Sequence, residues 1–101
     1  LDVTEHRAMS RAVAAMEDEL ATRAEDLRGV PFGTFRRGEA PEPEMLRLGS
    51  FRSEVTVRPV EARPGESPGM IRMLVVARLS NSDGEVVRTR RIEVARAGRS
   101  W

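Results

Sequence analysis

The residues of this chain that could do chemistry are few and widely separated. His6 is the one histidine and there is no cysteine, so no imidazole and thiolate set can be assembled around a metal ion. The carboxylates Glu17, Asp18, Glu19, Glu25 and Asp26 are spread around a helical stretch, which reads as a solvated face and not as an acid and base held in register. Ser10, Ser50, Ser53 and Ser67 lack the elbow, base or oxyanion context that nucleophilic attack needs. Gly65-Glu66-Ser67-Pro68-Gly69 has neither a lysine nor a following helix with which to hold a phosphate. Asp83 and Glu85 flank a hairpin turn, where two carboxylates are turn chemistry before they are calcium ligands. These patterns point away from an enzyme, and no cofactor, metal or small-molecule substrate is expected.

One basic concentration remains, Arg88, Arg90, Arg91, Arg96 and Arg99. A nucleic-acid strip would call for aromatic side chains on which bases could stack; only Trp101 is near, and tyrosine is absent. A charged strand edge that discourages edge-to-edge pairing is the simpler reading. Overall charge is no guide, because 17 basic residues, all arginine, stand against 16 acidic ones.

The element that must position any surface is a helix over residues 1–28. Met9, Val13, Met16, Leu20, Ala24 and Leu27 follow the spacing of one helical face, and Arg7, Arg11, Asp18, Thr22 and Glu25 lie opposite. Asp2 and Glu5 form a capping-box-like pair, Glu19 and Arg23 an i,i+4 pair, and Gly29 with Pro31 a stop. Such a helix is about 40 Å long, more than a small sheet needs, so its part before Ala12 is expected to contact something outside the domain. Ala8, Ala12 and Ala15 lie beside the main stripe and, being small, are candidates for subunit packing. On that placement Ala12→Arg leaves the domain folded and blocks assembly.

Residues 29–49, rich in Pro and Gly, read as a loop anchored by Phe32 and Phe35, with a short turn of helix near residues 42–46. Residues 50–96 read as antiparallel sheet and residues 97–101 as a tail. Phe51, Ser53, Val55 and Val57 alternate with polar neighbours to give a half-buried strand. Ile71, Met73, Val75, Ala77 and Leu79 share one face, with Leu74 and Val76 on the other, as in a central strand. Asn81-Ser82-Asp83-Gly84 turns the chain into a last strand in which Val86, Ile92 and Val94 share parity with Arg88 and Arg90. That parity requires either a bulge or an edge open to solvent. The expected class is α+β, a long amphipathic helix on an antiparallel sheet of three to four strands, in one domain spanning residues 1–101. At this length about 60–65% of the unfolded surface can be buried. The longest apolar runs are far below the ~20 residues that cross a bilayer, so the chain as given is expected to be soluble.

The run Leu20-Ala21, then Ala24-Glu25-Asp26-Leu27-Arg28-Gly29-Val30-Pro31-Phe32, resembles the helix end of the type IV pilin and pseudopilin superfamily, in particular minor pilins of the pilus-modification type. Leu74-Val75-Val76-Ala77-Arg78-Leu79, the turn at residues 81–84 and residues 86–96 resemble that family's closing hairpin. The resemblance implies that Leu1 continues a helix whose membrane-spanning half precedes it, behind a leader cleaved by a prepilin peptidase. It implies partners that are other pilin or pseudopilin subunits, anchorage in the inner membrane with the domain in the periplasm, and later residence in an extracellular filament. The role implied is assembly, priming or tip display in a type IV pilus or a type II secretion pseudopilus. The lack of cysteine departs from pilins closed by a C-terminal disulfide. The alternative is a soluble helix-plus-sheet adaptor or a DNA-uptake module that uses the arginine-rich hairpin.

Overall fold

Among the described residues the sequence forms one helix and four strands. A computed structural model describes residues 3–29, 44–61, 64–65 and 69–97. The helix α1 (Val3–Gly29) is followed by β1 (Glu44–Leu48), β2 (Phe51–Val60), β3 (Met70–Ser80) and β4 (Val86–Ala97). The strands form an antiparallel meander in the order β1-β2-β3-β4, and α1 lies across one face of it. Asp2, Phe32, Phe35, Arg99 and Trp101, expected to cap, anchor or line a surface, lie outside the described residues.

The core is where the helix stripe meets alternate sheet positions. Met16, Leu20, Ala24 and Leu27 are buried with Val55 and Val57 of β2, Met73, Val75, Ala77 and Leu79 of β3, and Val94 of β4. Every second residue of a strand faces one side, so the observed register carries this face from Ser53 and Val55 to Leu79 and Ala77, and from Met73 and Val75 to Val94 and Ile92. β3 sits between two strands and has its other face covered in part, Val76 being 4% exposed, as its double-sided apolar pattern requires.

Two sequence expectations are corrected. Residues 44–48 are a strand and neither loop nor helical turn. Gly49, at φ 65°, makes with Ser50 the tight turn that folds this segment onto β2, from Leu48 opposite Phe51 to Glu44 opposite Val55. Short and mostly exposed, the segment owes its conformation to the β2 edge and not to its own propensity.

The second correction concerns Ala12, which is 2% exposed and belongs to the core. The buried line runs Ala12, Met16, Leu20, Ala24 and Leu27, with Met9 and Val13 half-buried at its side. From Ala12 to Ala24 this is an i,i+4 ridge of the helix, which slants around the helix surface, and Leu27 closes it one i+3 step further on. A stripe averaged over the whole helix conceals the slant, which turns Ala12 toward the sheet. Ala15 is half-buried and Ala8 is exposed.

One polar group interrupts the core. The Ser53 side chain is completely buried and its hydroxyl has no hydrogen-bond partner among the described residues. A buried orphan hydroxyl costs about 1–3 kcal/mol. Ser53→Ala is therefore expected to stabilise the domain by about 1 kcal/mol, seen as a higher urea midpoint at unchanged slope; an unchanged or lower midpoint would show that the hydroxyl is solvated.

Candidate interaction surfaces

The β3–β4 turn is built by Asn81. Its side-chain oxygen accepts from the N–H of Asp83 and of Glu85, each at 3.0 Å, its carbonyl accepts from Gly84 N–H at 3.0 Å, and its own N–H donates to the Glu85 carbonyl at 2.9 Å. Gly84 supplies the left-handed conformation at φ 85°. Asp83 and Glu85 thus act here through their backbone, in the geometry of an Asx turn.

Past this turn the ladder slips. Ser80 pairs with Val86 and Leu79 with Arg88, leaving Val87 as the extra residue of a β-bulge. Val87 packs against the core while Val86 is 53% exposed, so the bulge reverses the side that parity assigned to Val86. Beyond it the alternation resumes, with Arg88, Arg90, Ile92, Val94 and Arg96 on the helix side and Arg91 on the outer side. Both resolutions of the parity conflict hold at once, a bulge at the turn and an edge that reaches past the helix into solvent.

The hairpin arginines are consequently not one patch. Arg90 Nε donates to Glu17 Oε1 of α1 at 3.3 Å, and Arg96 Nη1 donates to the Leu27 carbonyl at 3.4 Å. The second contact satisfies a carbonyl in the helix's last turn and sets a positive charge at the negative end of its dipole. Arg88 lines a cleft of about 220 Å³ with His6, Met9, Ser10 and Val13. These side chains strap α1 to β4, and Arg91 points the other way.

At the opposite edge, Arg23 pairs with Glu44 of β1 and not simply along the helix with Glu19. Glu19 is held above the usual carboxylate range, first by its hydrogen bond with Glu44, then by burial and the nearby negative charges, against the pull of Arg23. Glu44 is held below that range, first by accepting the Glu19 hydrogen bond and then by Arg23. A raised folded-state pKa gives stability at low pH that is lost as pH rises through it; a depressed one gives stability that is lost as pH falls through it. The two oppose each other, and protonated Glu19 beside ionised Glu44 is favoured in mildly acidic solution. Glu19→Gln keeps a donor for Glu44 and removes the term that fails at neutral pH. The variant is expected to be more stable than the parent by up to about 0.5 kcal/mol at pH 7, since exposure screens the pair, and no more stable at pH 4. Urea midpoints at the two pH values check this; equal gains at both would remove Glu19 ionisation as the cause.

The first turns of α1 are thinly covered. Val3 is 65% exposed, Ala8 is exposed, and Met9 is half-buried over a cleft of about 380 Å³ that it shares with Phe51, Asn81 and Val87. His6 stands on this exposed stretch. Among the described residues no group of three or more His, Cys, Asp or Glu lies together in a way that could hold a metal ion.

The chain is thus α+β, with one helix laid on a four-stranded antiparallel meander among the described residues. No family model matches it, no curated protein matches it, and no solved structure matches it. Among the described residues no helix is long and apolar enough to cross a membrane.

Proposed function

We propose that this chain is the globular part of a filament subunit of the minor pilin or pseudopilin kind, acting in assembly, priming or tip display. The observation that carries the reading is the mismatch between helix and sheet. α1 is continuous from Val3, yet burial begins only at Ala12, and the turns before it expose Val3 and Ala8. A helix longer than its own core has a use when its free end packs against neighbouring subunits or continues into a membrane-embedded half. The meander on one side of the helix also agrees with that arrangement. Other subunits are then the partners, and the inner membrane is reached through a segment upstream of Leu1.

The helix–neighbour contact belongs at Ala8 and the exposed turns around it, since Ala12 is enclosed. The decisive experiment is to read the coding sequence immediately upstream of Leu1. About 20–25 apolar residues behind a short basic leader are expected; a polar upstream region or a start at Leu1 would overturn the reading. Against the adaptor alternative, in which the arginine-rich hairpin binds DNA, stands the division of its arginines, Arg90 and Arg96 contacting the helix and Arg91 lying on the opposite face of the sheet.

A further inference from the structure

The outer face of the sheet, turned away from α1, carries Arg47, Arg52, Arg58, Arg72, Arg78 and Arg91. Against them stand Glu54 and Glu93, and Glu93 is held by Arg72 at 3.1 Å. Four of the others fall in a line, with Arg58 of β2 apart from it. Arg47 of β1 lies directly opposite Arg52 of β2. Arg52 is opposite Ser80, two residues along β3 from Arg78. Arg78 is opposite Thr89, two residues along β4 from Arg91. A step of one strand and two residues is about 8 Å, so the side chains mark a diagonal across the sheet with one arginine from each strand. All four are exposed, and no ion pair engages them among the described residues.

The diagonal works against folding where it begins, because like charges directly opposite on paired strands are destabilising. Retaining Arg47 across from Arg52 with no carboxylate between them is a local conflict of the kind that marks a binding site. From these positions we infer that the outer sheet face is a track for the sugar–phosphate backbone of a single nucleic-acid strand, read without regard to sequence. Each guanidinium can take a phosphate through two parallel hydrogen bonds, and a row of charges suits a chain carrying one charge per nucleotide. The described part of this face presents no aromatic side chain, so recognition rests on the backbone and not on base stacking. Glu54, opposite Arg78, moderates the track.

The test measures binding of the 101-residue chain to a fluorescent 20-nucleotide single strand of mixed sequence between 50 and 200 mM salt. Four phosphate contacts at roughly 0.7 each give a slope of log K against log salt of about −3. Arg78→Gln combined with Arg91→Gln is expected to halve that slope and weaken binding at least tenfold at 50 mM salt. Arg88→Gln, on the helix side, should leave the slope unchanged, and Glu54→Gln should tighten binding. Thermal melts establish that each variant is folded, and Arg78→Lys combined with Arg91→Lys, which keeps the charge, should retain the slope. Absence of salt-dependent binding would overturn the proposal, as would a full slope in the folded double glutamine variant. Equal or tighter binding to anionic vesicles or to heparin would overturn the nucleic-acid assignment, and so would self-association of the chain on this face in place of strand binding.

Discussion

Ala12→Arg is expected to unfold the domain. Ala12 is 2% exposed within the cluster that holds Met16 and Leu20, and a guanidinium cannot occupy that space without displacing the helix from the sheet. An unpaired charge left in such a setting costs about 3–5 kcal/mol, with overpacking adding about 1–3 kcal/mol. A domain of this size has roughly 5–15 kcal/mol in all. Far-ultraviolet circular dichroism with a urea titration should show loss of the cooperative transition or its displacement toward zero denaturant. Ala8→Arg, one helical turn earlier and exposed, is the control, expected within about 0.5 kcal/mol of the parent. If Ala12→Arg melts as the parent does, α1 does not lie on the sheet along the Ala12 to Leu27 ridge. The pair also separates two consequences that a single stripe of alanines would merge, because only the Ala8 variant can report on assembly without first destroying the fold.

The second large effect is at the middle of the sheet. Leu79 has no exposed surface, sits on the central strand, and lies opposite Ser53 on one side and Arg88 on the other. Leu79→Ala removes buried methyl and methylene groups opposite a serine too small to fill the space. A loss of about 3 kcal/mol follows, equivalent to a fall in Tm of roughly 12–24 °C in a domain of this length. Leu46→Ala, on the β1 edge at 37% exposure, should cost less than about 1 kcal/mol. A Leu79 variant as mild as the Leu46 variant would mean that the helix side of β3 is not closed.

Much of the fold was legible because it is written in local periods. The helix follows from apolar residues spaced by three and four, and it ends with Gly29. β2 and β3 follow from alternation, and the turn between β3 and β4 from Asn81 and Gly84, whose roles are settled within five residues of chain. Even the conflict in β4 could be read, since Arg88 and Arg90 share a parity with Ile92 and Val94 in any alignment.

The sequence by itself therefore determined that α1, β2, β3 and β4 exist, which face of β2 and β3 is apolar, and that these elements form an α+β domain. Only the tertiary structure decided that β1 exists, that Val87 bulges, that Ala12 is inside, that Arg90 and Arg96 hold the helix, and that Arg47, Arg52, Arg78 and Arg91 fall into line. The physical reason is the same in each case. Periodicity is a property of one segment and is set by its own backbone geometry, whereas register and crossing direction belong to pairs of segments. They are fixed when residues distant in the chain bury each other's apolar faces and complete each other's backbone hydrogen bonds.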